Sequence, residues 1–291
     1  MGQNEAQKSC GQGQSEELYR LKEQLELQEA LFGIRNKIVV LSGKGGVGKS
    51  SVATNLAVAL SLAGKKTGLL DVDLHGPSIP TLLGLEGRFP AQNNGQIEPV
   101  DYNDSLKVMS VGLLLRNQTD ALIWRGPAKH GMIKQFLANV AWGALDYLIV
   151  DCPPGTGDEP LSVIQLLDGA NGAIIVTTPQ DVALNDVRKS VTFCAQLKLP
   201  VIGVVENMSG FVCPHCCKEV DIFKRGGGKT MADEMAVPFL GGIPLDPAMV
   251  SAGDAGEPLV ANQAASPTSE AIGAIVSAVT SWCDSDQGGR R

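Results

Sequence analysis

The sequence has no excess of positive charge, no long apolar run and no second Cys-x-x-Cys pair, and each absence removes a class of protein. Lys and Arg total 24 against 31 Asp and Glu, a formal charge of −7, so a nucleic acid would have to be held by a local basic patch, and the sequence contains none. Nowhere do roughly twenty apolar residues run together, and the polar N-terminus, MGQNEAQKSCGQGQSEELYR, lacks the apolar core of a secretory signal. These features predict a cytoplasmic chain with neither a nucleic-acid nor a membrane partner. The 7 cysteines are odd in number and, one cluster apart, scattered. That is no disulfide framework, and clustered thiols in a reducing compartment point to metal binding or catalysis.

What is present is a regular alternation of strand and helix patterns. Strand-like apolar runs occur at KIVVLS (37–42), TGLLDVD (67–73), LKVMSVG (106–112), YLIVD (147–151), GAIIVTT (172–178), PVIGVVENM (200–208) and PFLGGIP (238–244), and they read as buried parallel strands. Between them, SSVATNLAVALSLAG, AKHGMIKQFLANVAW, PLSVIQLLDG and DVALNDVRKSVTFCAQLK carry helical patterns. The alternation predicts an α/β fold: a doubly wound, mostly parallel sheet flanked by helices, with its ligand at the C-terminal ends of the strands. The expected organisation is a disordered head over 1–14, a helix over 15–32, one domain over 33–283 and a disordered tail over 284–291. Ser15 would cap the first helix, in which Leu18, Leu21, Leu25, Leu27, Leu31 and Phe32 recur at roughly helical spacing.

The first strand runs straight into GKGGVGKSS, which matches G-x-x-x-x-G-K-[ST] at Gly43, Gly48, Lys49 and Ser50. In such a loop, here Gly43, Lys44, Gly45, Gly46, Val47 and Gly48 with Lys49, Ser50 and Ser51 beyond, backbone N–H groups turn toward a polyphosphate. The following helix offers its positive end, Lys49 a point charge, and Ser50 a hydroxyl that can ligate Mg²⁺. Asp71 and Asp73 leave the second strand, and Asp151 ends YLIVD in the pattern of a Walker B carboxylate that would hold the Mg²⁺ shell. Gly155 and Gly157 follow in a segment flexible enough to sense a γ-phosphate. KRGGGKT (224–230) imitates part of a second loop, but Phe223 stands where the motif requires its first glycine, and no apolar strand precedes it. It reads as the glycine-rich start of a helix, with anion binding left open.

FVCPHCCKEV (211–220) concentrates Cys213, Cys216 and Cys217. Cys213 and Cys216 have the spacing at which two thiolates of one turn grip the same zinc ion or iron–sulfur cluster. A thioredoxin-type pair would sit early in its fold at a helix N-terminus, whereas this one follows a late strand. Two ligands leave a metal half coordinated. Cys152 and Cys194 read as core residues, Cys10 and Cys283 as remote from the pair, and His75 and His130 lack metal-ligand companions.

The early lysine of KGGVGKS, Lys44, resembles the deviant Walker A signature of the P-loop NTPase superclass of MinD, ParA and the nitrogenase iron protein (SIMIBI). In that class this lysine is implied to reach across a dimer interface to the partner's phosphates, which predicts a homodimer. A two-fold axis through the cysteine loop would then unite two half-sites as four thiolates, enough for a [4Fe–4S] cluster or a zinc ion. The resemblance extends to Asp73 as the first switch aspartate, which orients the attacking water, to Asn207 as the adenine-binding asparagine, and to Pro244 and Asp246 in the loop lining the base.

Taken in order, SGKGGVGKSS, DVDLHGPSIPTLLG, DCPPGTGDE, TTPQDVAL, ENMSGFVCPHC and GGIPLDP closely resemble the Mrp/ApbC family of P-loop iron–sulfur cluster carrier ATPases over about residues 33–275. The resemblance implies a homodimer that bridges a labile [4Fe–4S] cluster through Cys213 and Cys216 of each subunit. Slow ATP hydrolysis, served by Lys44, Lys49, Asp73 and Asp151, would be coupled to loading from an upstream assembly scaffold or delivery to apo iron–sulfur proteins. Only Cys10 stands where some relatives carry a four-cysteine N-terminal motif, so no second cluster is expected. Cys217 occupies a position where glycine is common, as an alternative ligand or an exposed thiol. The competing reading is a MinD- or ParA-like positioning ATPase with a four-cysteine zinc at its dimer interface. Its membrane version calls for a basic amphipathic C-terminal helix, and PTSEAIGAIVSAVTSWC contains no Lys or Arg.

Overall fold

The computed structural model describes residues 21–115, 126–167, 169–213, 215–216, 218–262 and 266–289. A helix over 21–32 (α1) comes first. It is followed by β1 (Ile34–Ser42), α2 (Lys49–Leu62), β2 (Thr67–Asp71), α3 (Ile79–Leu82), β3 (Ala91–Asn93), β4 (Gln96–Glu98), β5 (Val100–Asn103) and β6 (Leu106–Ser110). The chain continues through α4 (Gly126–Ala138), β7 (Leu145–Asp151), α5 (Asp158–Leu166), β8 (Gly172–Thr177), α6 (Asp181–Gln196), β9 (Val201–Val212) and β10 (Glu219–Val220). It closes with α7 (Gly227–Glu234), β11 (Phe239–Leu245), α8 (Pro247–Asp254) and α9 (Pro267–Gly289).

The main sheet has the order β10-β9-β8-β1-β7-β2-β6-β5, with β11 paired to β9. All seven strands expected from the apolar runs are present and pair in parallel, as in β1 with β7 and β8, β2 with β6 and β7, and β9 with β8 and β11. The sheet is therefore wound in both directions from β1, and the loop after β1 sits at the point of divergence, where an open α/β sheet receives its ligand. The strands that the apolar pattern did not reveal are short and mostly exposed: β5 and β10 pair antiparallel at the margins, and β3 and β4 form a separate hairpin. That hairpin turns at Asn94 (φ 50°) and Gly95 (φ 82°), an Asn-Gly signal that was legible in the sequence.

Alternation along the strands divides the core into two. Val39, Leu41, Leu70, Leu148, Val150, Ile175 and Val204 face one side with residues of α1, α4, α5, α6 and α7. Ile38, Val40, Leu69, Ile149, Ile174, Val176 and Val205 face the other, with α2 and α9. By the same parity Asp71 and Asp151, register partners on β2 and β7, both fall on the α2 side. α1 buries Leu27 and Leu31 while Leu21, Leu25 and Phe32 stay exposed; the expected residues 1–20, Ser15 and Leu18 among them, lie outside the described residues. α9 runs on to Gly289, so the boundary expected at 283 falls inside a helix. Nothing in DSDQ stops a helix as proline would, and each weak helix former costs only a few tenths of a kcal/mol.

Candidate functional site

The loop 43–48 passes from β1 into α2 along a path that only glycine permits at two points. A Cβ on Gly43 would lie 2.4 Å from the Asp186 carbonyl carbon, so α6 closes directly on the loop backbone. Gly48, at φ 80°, opens α2, and a Cβ there would meet the Asn207 side-chain nitrogen at 2.2 Å. No side chain caps this helix start, which leaves its N–H groups free for an anion. Ser42, Lys44, Gly45, Gly46, Gly48, Lys49, Ser50 and Ser51 line a cavity of about 260 Å³ together with Asp73 and Pro154. The loop, Asp73 and the segment after Asp151 thus meet around one space.

At its floor lies a buried charge cluster. Lys49 Nζ is 2.6 Å from Asp151 Oδ1, and Ser50 Oγ donates to Asp151 Oδ2 at 2.6 Å. Burial alone would lower the Lys49 ammonium, but the Asp151 carboxylate beside it outweighs burial and raises it. Burial pushes Asp151 up against the pull of Lys49 and Ser50. Asp71 is also fully buried, and burial together with the nearby Asp151 charge carries it to about 8. Its oxygens accept from Ser110 Oγ and from the Asp73 backbone N–H, which fixes where Asp73 leaves the strand. Asp73 in turn accepts from the N–H groups of His75 and Gly76 at 3.3 Å.

The residues expected at the base site meet in a second cavity of about 570 Å³, where Asn207, Pro244 and Asp246 join Gly48 and Ser51. Several of their polar groups already have partners. Asn207 Nδ2 donates to the Val47 carbonyl at 2.9 Å. Asp246 caps α8 through the Ala248 N–H and accepts from Thr268 Oγ1.

Two groupings lay beyond the sequence reading. Lys129 of α4 pairs with Glu159 of α5 and contacts His75 Nε2 at 2.7 Å, so it touches residues that follow Asp73 and Asp151. Glu206, fully buried on β9, accepts from Ser209 Oγ and from the N–H groups of Gly226 and Gly228. The start of α7, which KRGGGKT left open as an anion site, is therefore filled by the chain's own carboxylate. The signal was an acid inside an apolar run, PVIGVVENM, because a buried charge needs partners.

Cys213 and Cys216 follow the end of β9, outside both cavities. Cys213 is half-buried and Cys216 exposed, and the Cys213 N–H closes the turn onto the Lys218 carbonyl at 3.0 Å. The N–H groups of His215 and Cys216, with the Cys216 thiol, hold the Cys213 thiol below its ordinary value, as a thiolate ligand requires. Val212, Val220 and Ile222 beside the turn are 40%, 49% and 53% exposed. Cys152, Cys194 and Cys283 are buried; Cys10 and Cys217 lie outside the described residues. Among the described residues no three His, Cys, Asp or Glu side chains of one chain gather as a metal site, and no helix is long and apolar enough to cross a membrane.

A family model described as a NUBPL iron-transfer P-loop NTPase of the ParA type matches residues 33–280. An iron–sulfur cluster carrier protein of Methanocaldococcus jannaschii is 53% identical over 235 residues, 81% of each chain. The cytosolic Fe-S cluster assembly factor NUBP2 of Homo sapiens is 51% identical over 249 residues, 84% of this chain and 92% of its own. A nucleotide-binding protein of Archaeoglobus fulgidus, solved in complex with ADP, superposes with a TM-score of 0.72 at 43% identity, covering 80% of this chain and 91% of that one. The MinD cell division protein of Aquifex aeolicus does so with a TM-score of 0.61 at 23% identity, covering 84% and 97%, a likeness of fold alone.

Proposed function

The chain belongs to the family of NUBPL iron-transfer P-loop NTPases, and from that premise we propose that it is an ATP-driven, cytoplasmic iron–sulfur cluster carrier acting as a homodimer. Carrying clusters is what the family does; the finer reading concerns which residues do it. ATP lies on the loop 43–51, its phosphates received by backbone N–H groups and by the Lys49 ammonium, which exchanges Asp151 for phosphate oxygen. Ser50 and Asp151 would hold Mg²⁺, which supplies positive charge to the phosphate oxygens. The donor set suits it, since the Ser50 hydroxyl gives its proton to Asp151 and keeps lone pairs for a cation. Asp73 orients water toward the γ-phosphate, and Lys44, which lines the cavity, acts on the partner's ATP. Asn207, Pro244 and Asp246 form the wall against the base.

The observation that carries the reading is the cysteine half-site: a thiol pair with N–H groups aimed at one sulfur, on a turn flanked by exposed apolar side chains. A two-fold axis there supplies the missing two thiolates and covers Val212, Val220 and Ile222. The cargo is a [4Fe–4S] cluster held between subunits, received from an assembly scaffold and passed to apo-proteins. Anaerobic incubation with iron and sulfide tests this. The expected result is a broad absorption band near the visible–ultraviolet border, absent in Cys213→Ala and Cys216→Ala chains that still bind nucleotide. Tightly bound zinc with no such band would instead make the turn a structural staple.

A further inference from the structure

We propose that Glu206 is a positioning residue through which the nucleotide loop sets the exposure of the cysteine pair; this rests on the carrier reading and adds the regulation of its cargo site. Alternation on β9 points Glu206 and Asn207 to opposite faces of the sheet. Asn207, on the α2 side, donates to the Val47 carbonyl between the two glycines that shape the phosphate loop. Glu206, on the α7 side, is 0% exposed and takes three donors with its two oxygens. One oxygen accepts from Ser209 Oγ and the Gly226 N–H, the other from the Gly228 N–H. Ser209 precedes the cysteine turn and Gly226 follows it. A single carboxylate therefore closes the neck of the segment 209–226, with Cys213 and Cys216 on that segment.

The geometry between the neck and the cysteines makes this closure matter. Met208 (φ 58°) and Gly210 (φ 72°) are both left-handed, so β9 bends on either side of Ser209 and does not continue to Cys213 as a stiff ribbon. Pairing with β11 shifts register between Ile243 and Leu245, opposite this bend. The orientation of the cysteine turn is thus set where the Ser209 hydroxyl and the start of α7 meet Glu206. A movement of Val47 on nucleotide binding reaches Asn207 through one hydrogen bond and the clamp through one peptide bond. A neutral amide at 206 keeps the volume but has one acceptor oxygen in place of two, so its NH2 must face either the Gly228 N–H or the Ser209–Gly226 pair and the clamp loses at least one of its three donors.

The test is the rate at which iodoacetamide modifies Cys213 and Cys216 in the reduced, cluster-free full chain, read residue by residue by mass spectrometry with and without Mg²⁺ and a non-hydrolysable ATP analogue. Buried Cys152 and Cys194 serve as internal references. In the unsubstituted chain the analogue is expected to change the rate at Cys213 about fivefold. In Glu206→Gln the dependence falls to less than about twofold while the analogue binds as before, and Ser209→Ala, which removes one neck contact without touching the buried carboxylate, gives an intermediate response. An unchanged nucleotide response in Ser209→Ala together with Glu206→Gln, or no response in the unsubstituted chain, overturns the proposal; Ser209→Ala alone decides it if Glu206→Gln does not fold. The assay uses no cluster, so a chain that responds in this way but takes up zinc instead of a cluster would refute the carrier reading and leave the coupling standing.

Discussion

The phosphate loop and the cysteine loop are built to opposite specifications. The first is fixed by close approach of neighbouring atoms at Gly43 and Gly48, by the buried Lys49–Asp151 ion pair and by the Ser50–Asp151 hydrogen bond. The second stands at the sheet margin, half-buried at Cys213 and exposed at Cys216, with backbone N–H groups as its own support. On the proposed reading, one chain nearly completes the nucleotide site, whereas it supplies half of the cluster's ligands. A buried, over-determined site suits chemistry that must recur identically, and an exposed half-site suits cargo that must leave.

If the two regions divide the work in this way, substitutions should separate them. Cys213→Ala should reduce reconstituted cluster content, measured as iron and sulfide per chain, to less than about a tenth, with ATP affinity by calorimetry unchanged. Lys44→Ala should lower ATP turnover about 10³-fold if the lysine acts as a finger in trans, with cluster content preserved; equal loss of nucleotide affinity would place it in simple binding. Asp151→Ala breaks the division from the other side. It leaves the buried Lys49 ammonium uncompensated and should cost about 3–5 kcal/mol in denaturant unfolding.

Smaller effects sharpen the comparison. Lys129→Ala unties the segment after Asp73 from the start of α5, and a drop in turnover of about fivefold, near 1 kcal/mol in activation free energy, is expected with cluster binding intact. Asp71 supplies a pH signature belonging to the phosphate floor alone. Its folded value of about 8 stands above the ordinary 3.8, so the folded chain keeps a proton that the unfolded chain sheds above roughly pH 4. The stability so gained is complete below about pH 4 and is lost as pH rises toward 8. Asp71→Asn should flatten that part of the urea-midpoint profile of the cluster-free chain, and an unaltered profile would assign the slope to other groups.

What the sequence made legible follows the same division. The seven parallel strands announced themselves because burial on both faces leaves near-continuous apolar runs, and the phosphate loop because its glycines and Lys49 recur at fixed spacing. β5 and β10 gave no such run, being short marginal strands with one open face. The roles of Glu206 and Lys129 depend on partners 20 or more residues away, Gly226 and Gly228 for one, His75 and Glu159 for the other, and no local pattern encodes such pairings. The resemblance led to Asn207 and Asp246 being expected at the base, but nothing in it disclosed their present bonds to Val47 and to the start of α8.

The central claim is that the cargo site exists only between two chains. Native mass spectrometry of the anaerobically reconstituted protein tests it most directly. The account predicts a dimer carrying one cluster of four irons and four sulfides, with Cys213→Ala and Cys216→Ala chains free of cluster. A cluster retained by a monomer, or a dimer whose only metal is zinc, would contradict it.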